Sequence, residues 1–366
     1  MKTLHVDLGK DWRGGQNQAL LLLQGLRARG HPSELLARCE SPLAQRAQSA
    51  GIPVHPMPRL GARLWAALRL RKLLAQRGFE ILHLHDAHAL TAAWLVRAHQ
   101  LTSVVASRRL AYRLQPGRFA LARYLSAHRI LAVSEFVAKS VTASRVPGER
   151  VQVVYDGVEL TPLPAPDFRR SARERWGVAD NETLLGCVGY LLPEKGQEFL
   201  VRALPIVRAE FPRCRLLLAG AGPCHRRFER LAREMTVESA VIFAGFVENV
   251  AQVYAALDVF VFPSLAEPLG SSLLTAMVFA LPIVAVGRGA VPEVIQDGRT
   301  GLLVADPDPG QIAAAVVRLL HDAQRAAQLG AAARELVRDR FTADRMVEAT
   351  LRVYEQVCGG ANRSGA

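Results

Sequence analysis

The stretch VFVFPSLAEPLGSSLLTAMVFA, residues 259–280, decides the fold of the second half of the chain. An apolar run of strand character enters a loop that holds an acid, a proline and a glycine, and an apolar helical stretch follows. Strands that alternate with helices predict a parallel sheet with helices on both faces. Ligands of such sheets bind beyond the carboxyl ends of the strands, which makes this junction a candidate binding site.

The same alternation extends over the whole chain of 366 residues. The predicted strands of the first half are TLHVDLG, SELLARC, ILHLHD, SVVAS, RILAVSE and VQVVYDG. Those of the second half are LLGCVGYL, CRLLLAGAG, VIFAGF, VFVFPS, LPIVAVG and GLLVA. The pattern restarts after the proline-rich TPLPAPDFRR at 161–170, a candidate linker. We therefore predict two Rossmann-like α/β domains that face each other across a cleft, residues 1–162 and 163–342, and a C-terminal helix and tail, residues 343–366.

Composition excludes several classes of protein. Half of the residues are hydrophobic, so sizeable cores are expected. The five cysteines are scattered and lack CxxC spacing, which argues for a reducing compartment and against a zinc site. The start MKTLHVDLG leads directly into a predicted strand, so we expect no export signal. Residues 268–287 are uncharged, but Pro282 interrupts them, and we expect a buried helix and strand there rather than a membrane span.

The net charge of +13 lies in one half of the chain. Residues 1–160 contain 23 Lys and Arg against 10 Asp and Glu, whereas residues 161–366 contain 23 of each. An arginine-rich genome alone does not explain this difference between the halves. We interpret it as a first domain that faces an anionic partner.

Glu267 and the residues after it are suited to hold a sugar joined to a phosphate. The amides of Gly270, Ser271 and Ser272 begin a helix, and a helix N-terminus binds phosphate. Glu267 can accept hydrogen bonds from sugar hydroxyls. The alternative is an ordinary helix start with a solvated glutamate.

Two other junctions offer positive charge to a phosphate. Lys195 follows a strand in GYLLPEKGQEFL (189–200) and can lie against a diphosphate, although most lysines are simply solvated. Gly14 and Gly15 open a helix after a loop that carries Lys10 and Arg13. This loop lacks a GxGxxG fingerprint, so dinucleotide binding is poorly supported.

The segment HLHDAH at 83–88 follows a predicted strand. His83 and His85 share one face of that strand, and Asp86 and His88 follow in the loop. Three interpretations are open: a metal site, polar groups for acceptor hydroxyls, or structural histidines.

Two segments of the first half combine arginines with aromatic residues, RLGARLWAALRLRKLLAQR at 59–77 and RRLAYRLQPGRFALARYLSAHR at 108–129. Each segment is consistent with a helix that packs one face on a sheet and solvates its arginines. The functional alternative is docking on an anionic membrane surface or on a phosphorylated glycolipid.

Taken together, the motifs resemble the retaining glycosyltransferases of group 1, family 4, which have the GT-B fold. The resemblance covers nearly the whole chain. The motifs that carry it are GG at 14–15, RGH at 29–31, AVSEFV at 132–137, VVYDGVEL at 153–160, PEKG at 193–196, LLLAGAGP at 216–223, FAGFVENV at 243–250, FPSLAEPLGSSLLTAM at 262–277 and VPEVIQDGRTGLLV at 291–304.

The resemblance implies a role for each domain. The C-terminal domain would bind a nucleotide-diphospho-sugar, the N-terminal domain would bind the acceptor, and the last helix would cross back to the N-terminal domain. Transfer would need no metal and no further cofactor, because amides and basic groups offset the charge of the diphosphate. The residues that it places at the donor are Glu267, Lys195, Gly14, Gly15, Tyr190, Pro268, Leu269, Gly270, Ser271, Ser272, Leu273 and Thr275. Those that we place at the acceptor are Arg13, His85, Asp86 and His88.

Three positions depart from the family pattern. Thr275 stands where a second glutamate usually holds the ribose, and Tyr190 stands where an arginine is usual. A histidine that is often found after the strand SVVAS is absent, and the segment reads SRRLAYR. We predict that Arg108 or Arg109 supplies the missing positive charge in catalysis.

The sequence therefore predicts a cytoplasmic glycosyltransferase that acts, with retention of configuration, on a lipid-linked or envelope glycan of the lipopolysaccharide type. It would be peripheral on the inner face of the membrane. One alternative is a catalytically weakened binding module, and another is a GT-B nucleotide-sugar epimerase. A nucleic-acid-binding protein is disfavoured because no recognition motif for nucleic acid is visible.

Overall fold

The computed structural model describes residues 1–57, 62–114 and 117–361, with only the backbone described for 62–64 and 360–361. Residues that contact one another form two compact units. The first contains Met1–Gly157 and Thr342–Ala366, and the second contains Val158–Phe341. The change of unit at residue 157 thus falls before the predicted boundary at 162.

The first unit is built on a seven-stranded parallel sheet. Its strands are β1 Thr3–Asp7, β2 Ser33–Arg38, β3 Val54–Met57, β4 Ile81–Leu84, β5 Ser103–Arg108, β6 Arg129–Ala132 and β7 Val151–Val153. Its first helices are α1 Gly14–Ala28, α2 Pro42–Ser49, α3 Ala62–Arg77, α4 Ala87–Leu95, α5 Arg118–Leu125 and α6 Glu135–Thr142. The spatial order β3-β2-β1-β4-β5-β6-β7 reverses direction between β1 and β4.

The second unit is built on a six-stranded parallel sheet. Its strands are β8 Thr183–Val188, β9 Cys214–Ala219, β10 Val241–Gly245, β11 Val259–Phe262, β12 Ile283–Val286 and β13 Leu302–Val304. Its helices are α7 Pro166–Arg175, α8 Gln197–Glu210, α9 His225–Glu234, α10 Ala251–Ala256, α11 Ser271–Val278, α12 Val291–Val294, α13 Pro309–His321 and α14 Ala323–Arg340. The order β10-β9-β8-β11-β12-β13 reverses between β8 and β11. The prediction of two Rossmann-like sheets is confirmed.

Strand β3 was not among the predicted strands. Its sequence VHPM lies in the proline-rich segment 53–58, and Pro56 argues against a strand because it lacks an amide hydrogen. The strand is nevertheless formed. Among the described strands, β3 pairs with β2 alone and so lies at the edge of the sheet, where a proline is tolerated.

The last helix, α15 Ala343–Ala361, belongs to the first unit, which confirms the predicted return of the chain. It packs against α1, and its apolar face shares one core cluster with that helix and the sheet. Val347, Val353 and Tyr354 are each at most 1% exposed there. Full burial of an aliphatic side chain contributes about 1.5–3 kcal/mol, so this face is enough to hold the helix.

Residues 268–287 form helix α11 and strand β12, as predicted, and most of their apolar side chains are buried. In the described ranges, we find no helix with the length and apolar character that crossing a membrane requires.

Candidate active site

The loop between β11 and α11 is shaped around Gly270. This residue precedes the first helical residue, Ser271, and has φ 103°, a conformation that favours glycine. A Cβ atom there would also lie 3.2 Å from Leu273 Cβ and 3.3 Å from Phe262 Cζ. Within the part of the chain that the structure describes, no side chain caps this helix start, which leaves the first amides of α11 available to a ligand.

The turn after β8 carries Lys195 to the same place. Pro193–Lys195 form one 3-10 turn, and Gly196 follows with φ 71°. A Cβ at Gly196 would overlap the carbonyl oxygen of Pro263, so a glycine is needed where this turn meets the end of β11. The amide of Leu265 donates to the carbonyl of Glu194 at 2.9 Å and ties the two segments together.

Lys195 and Glu267 form an ion pair at this junction. Lys195 Nζ lies 2.7 Å from Glu267 Oε2, and Ser264 Oγ donates to the same oxygen at 3.0 Å. The Glu267 side chain is 7% exposed and that of Lys195 28%. The pair lies where the strand order reverses, between β8 and β11, which is where open α/β sheets bind ligands. Two residues predicted from separate segments are therefore brought together.

The other predicted donor residues of the second unit lie close to Lys195 or Glu267 in sequence. Pro268 and Leu269 belong to the loop, and Leu269 and Leu273 are buried. Tyr190 follows β8 and is 40% exposed. Thr275 lies in the first turns of α11, where its hydroxyl donates to the carbonyl of Ser271 at 3.0 Å. Tyr254, beneath the helix, donates to the carbonyl of Ser272 at 3.0 Å.

The first unit holds a row of buried histidines on β1 and β4. His5 Nδ1 and His85 Nε2 are 2.9 Å apart, and Arg109 Nη1 lies 3.3 Å from His85 Nδ1. Because an arginine only donates, His85 Nδ1 accepts and its Nε2 donates to His5. His5 then donates through Nε2 to Thr3 Oγ1 at 3.1 Å. These bonds form a directed chain that fixes the tautomers of His85 and His5.

These histidines are neutral in the folded protein. Burial, assisted by the charge of Arg109, lowers the pKa of His5 to about 3. Burial also holds the pKa values of His83 and His85 well below the usual range, and the neighbouring imidazoles and Arg109 add to the effect. His83 bonds Tyr354 at 2.5 Å and Ser107 at 2.8 Å, so it continues the polar row beneath α15.

The three imidazoles are close enough to share a metal ion. Both ring nitrogens of each, however, already take part in hydrogen bonds, and the Arg109 guanidinium lies against His85. A cation there would meet that positive charge. Of the three interpretations of HLHDAH, structural histidines fit this geometry best for His83 and His85.

The remaining first-unit residues occupy varied positions. His85, predicted at the acceptor, is 7% exposed and uses both ring nitrogens internally. Asp86 accepts the amides of His88 and Ala89 and so caps α4. Asp86 also accepts the amide of Leu8 at 2.5 Å, which commits its carboxylate to the backbone. His88 is exposed.

The start of α1 holds the predicted glycines. Gly14 and Gly15 are its first two residues, and Arg13, which precedes them, pairs with Asp11 at 3.1 Å. A Cβ at Gly15 would lie 3.8 Å from Arg109 Cδ, so Gly15 adjoins the arginine.

Arg108 and Arg109 are both held inside the first unit. Arg108 is 5% exposed and donates to Tyr124 Oη at 3.0 Å and to the carbonyl of Tyr112 at 2.7 Å. Arg109 Nε donates to Asp156 Oδ1 at 2.9 Å. Burial raises the pKa of Asp156, and the positive charge of Arg109 opposes that shift. These contacts give both arginines a structural role that sequence reasoning did not include.

The residues at these sites that were not predicted include Ser264, Asp156, His5 and Tyr354. Asp156 lies in the motif VVYDGVEL, and Ser264 lies three residues before Glu267, so each had a local signal. His5 and Tyr354 had none, because their contacts depend on pairing between distant segments.

Comparison with known proteins identifies the family of this chain. A family model described as Glycosyltransferase Family 4 matches residues 12–161, and one described as Glycosyl transferases group 1 matches residues 182–322. The chain is 30% identical over 303 residues to the GDP-mannose-dependent alpha-(1-6)-phosphatidylinositol monomannoside mannosyltransferase of Mycolicibacterium smegmatis. That match covers 78% of this chain and 79% of the relative.

Other similarities extend over most of the chain. The D-inositol 3-phosphate glycosyltransferase of Stackebrandtia nassauensis is 30% identical over 369 residues, covering 87% of this chain and 82% of that protein. The crystal structure of Anabaena Alr3699/HepE in complex with UDP and glucose gives a TM-score of 0.87 at 20% identity, covering 97% and 100%. The apo form of the lipopolysaccharide outer core galactosyltransferase WaaB gives a TM-score of 0.71 at 16% identity. That match covers 97% of this chain and 100% of WaaB.

The fold and the families define a glycosyltransferase that uses a nucleotide sugar, with the two-domain GT-B fold. The chain belongs to the group 1, family 4 glycosyltransferases.

Proposed function

We propose that this enzyme transfers a sugar from a nucleoside diphosphate sugar to a glycolipid or envelope-glycan acceptor, of the lipopolysaccharide type, with retention of configuration. The observation that carries the proposal is the Lys195–Glu267 pair at the point of the second sheet where ligands bind. A carboxylate for sugar hydroxyls and a cation for phosphate stand beside an uncapped helix N-terminus.

In the donor complex, the amides of Ser271, Ser272 and Leu273 and the Lys195 ammonium would hold the diphosphate. Glu267 would hold the transferred sugar. Since these groups supply positive charge where the leaving diphosphate develops negative charge, we propose that transfer proceeds without a metal ion. Turnover should therefore survive EDTA.

The acceptor is proposed to be anionic or membrane-linked. The M. smegmatis relative is named for a phosphatidylinositol mannoside and the S. nassauensis relative for inositol 3-phosphate. Both names describe phosphate-bearing acceptors, in agreement with a first half that carries the whole net positive charge of this chain. We keep Arg13 and His88 as candidate acceptor contacts.

Helices α3, α4 and α5 form a surface suited to an anionic membrane, which we call the basic apolar surface. Large apolar side chains are exposed on it, among them Trp65 at 56% and Phe119 at 76%. The Trp94 and Phe119 rings pack edge to face, and contacts between neighbouring helices make the surface continuous. The exposed cations of these helices are Arg69, Arg71, Lys72, Arg77 and Arg118. Such a surface combines apolar insertion with attraction to anionic lipid.

Part of the basic segments predicted from sequence lies outside this surface as described. Arg59, Gln115 and Pro116 fall outside the described residues, as does the side chain of Arg63.

The first experiment is a titration of the enzyme with GDP-, UDP- and ADP-sugars, followed by thermal unfolding. A ligand that binds only the folded state stabilises it by about 2.7 kcal/mol at 100 times its Kd. One donor class should raise the midpoint, and Glu267→Ala should abolish the part that depends on the sugar. An unfolding midpoint that no nucleotide sugar changes would favour the weakened binding module. That alternative is suggested by Thr275 and Tyr190, which depart from the family pattern.

A second experiment identifies reaction and acceptor. With the donor that binds, NMR of the products should show a glycosylated acceptor with the anomeric configuration of the donor. An epimerised sugar without transfer would support the epimerase instead.

Flotation with anionic vesicles, but not with neutral ones, would support membrane binding by the basic apolar surface. The double variant Trp65→Ser, Phe119→Ser should reduce this flotation.

A further inference from the structure

Glu267 and Lys195 neutralise each other before any ligand arrives. Both hydrogen bonds to the carboxylate, from Lys195 and from Ser264, end on Oε2. In the described parts of the chain, no hydrogen bond is made to Oε1. One oxygen of Glu267 is thus committed to the ammonium that a diphosphate also needs.

The two members of the pair differ in freedom. The carbonyl of Glu267 accepts the amide of Ala290 at 2.9 Å, and its side chain is buried against Ser264, which is itself 1% exposed. Lys195 reaches the pair on a flexible four-carbon chain and is part-exposed. When a phosphate enters, Lys195 is the member that moves.

We propose that Ser264 is a positioning residue that fixes Glu267 Oε2 against Lys195, so that Glu267 competes with the bound diphosphate for the lysine. This inference rests on the proposed donor site. It gives Glu267 a second effect besides holding the sugar, because it weakens the hold of the enzyme on the nucleoside diphosphate left after transfer.

The competition acts unequally on donor and product. In the donor complex, sugar hydroxyls donate to Glu267 Oε1 and offset part of the repulsion between carboxylate and phosphate. Once the sugar has left, the carboxylate faces the diphosphate with no such compensation. The pair therefore favours release of the product over release of the donor.

The test is calorimetric titration of the full chain with the nucleoside diphosphate of the donor class and with the matching monophosphate. Glu267→Gln keeps the shape of the side chain and removes its charge. It should bind the diphosphate about ten-fold more tightly or better, since a unit charge a few ångströms away contributes at least about 1.4 kcal/mol at a protein surface. The monophosphate, which lacks the distal phosphate, should change less.

Ser264→Ala tests the positioning role. Loss of one hydrogen bond to a charged group should raise the affinity for the diphosphate about two- to five-fold. The affinity for the monophosphate should again change less. A merely structural role would instead weaken both nucleotides alike and lower the unfolding midpoint. The matched control is Glu194→Gln, which removes the same charge from an exposed neighbour and should leave both affinities unchanged.

The outcomes separate two failures. If the wild type binds the diphosphate and Glu267→Gln binds it equally or more weakly, the competition is refuted while the donor site stands. If neither the wild type nor any variant binds a nucleotide, the proposed function fails and this inference fails with it.

Discussion

The two sheets share one strand order, yet they use charge differently where that order reverses. In the first sheet, Arg109, Asp156 and the histidines satisfy one another inside the unit. In the second, Lys195 and Glu267 form a pair with a part-exposed cation beside an uncapped helix N-terminus. Charged groups whose hydrogen bonds are all made within the unit stabilise the fold. Charged groups that can still form hydrogen bonds at an open sheet edge are suited to bind a ligand.

Removing the first-sheet arginine is the strongest way to break this comparison. Arg109→Met should lower the free energy of unfolding by about 3–5 kcal/mol, because it leaves the Asp156 carboxyl buried without its partner. The loss should be larger at pH 8 than at pH 5. Without Arg109 the pKa of Asp156 rises further, and a raised carboxyl pKa costs stability as the pH increases.

Urea unfolding at both pH values measures this effect, and Arg109→Met with Asp156→Asn is the matched control that removes both charges. The double variant should recover part of the loss and the part of the pH difference that comes from Asp156, whereas the effect of Arg109 on the pKa values of the buried histidines stays lost. The sequence-based hypothesis that Arg109 acts in catalysis stays a prediction. If Arg109→Met loses turnover while its stability is unchanged, Arg109 acts in the active site and not in stabilising the fold.

Removing the second-sheet carboxylate should have the opposite profile. Glu267→Gln is expected to reduce turnover by about 10²–10³-fold, the usual effect of losing one preorganised electrostatic contact. Its unfolding midpoint should change little, because Lys195 can turn to water. Steady-state kinetics beside calorimetry checks this, with Glu194→Gln as the control for charge alone. Turnover within a few-fold of the wild type would contradict the donor site.

Acid should reveal the buried groups of the first sheet without a mutation, through the pH dependence of the free energy of unfolding. Between about pH 4 and 6, the unfolded chain binds protons at His5, His83 and His85 that the folded chain excludes, so stability rises with pH. Two carboxyls act in the opposite sense. Burial and the nearby Asp86 charge raise the pKa of Asp7 to about 6, and burial raises that of Asp156.

The pKa values of His31 and His128 are lowered as well, so the histidine effect exceeds that of the two carboxyls, and the net slope of stability against pH should be positive. Urea titrations at half-unit intervals measure it. His5→Asn removes one of the protons and should flatten the slope, with His88→Gln as a matched control at an exposed position. A stability that is constant over this window would contradict the neutral histidine row.

The sequence predicted the fold more completely than the site. Alternating strands and helices were sufficient for both sheets, because their apolar runs are long and clearly separated. Strand β3 was missed since Pro56 argues against a strand, and only its place at the sheet edge makes that proline acceptable. Local pattern does not say which strand lies at an edge.

The same limit applies to the candidate site. Lys195 and Glu267 were each identified from their own junction, but their pairing follows from the adjacency of β8 and β11, which periodicity does not specify. His5 and His85 are 80 positions apart and meet only through strand pairing. For this reason the sequence left HLHDAH open between three interpretations and gave Asp156 no partner.

The smallest expected effect concerns Thr275, where the chain departs from the family pattern. Its hydroxyl hydrogen is committed to the carbonyl of Ser271, one turn back in α11. Thr275→Val keeps the shape but removes this bond and the contact of the hydroxyl with Tyr254, so we expect stability to fall by no more than about 1 kcal/mol. Nucleotide affinity should change by less than about three-fold, well under 1.4 kcal/mol.

Thr275→Glu completes the test, because it restores the residue that the family pattern places there. If the position reaches the ribose, this variant should tighten a nucleoside diphosphate but not inorganic pyrophosphate, as titration calorimetry would show. A large loss of affinity in Thr275→Val would instead make the hydroxyl a direct ligand contact. Thr275 would then join Lys195 and Glu267 among the groups of the second sheet that retain bonding capacity for a ligand.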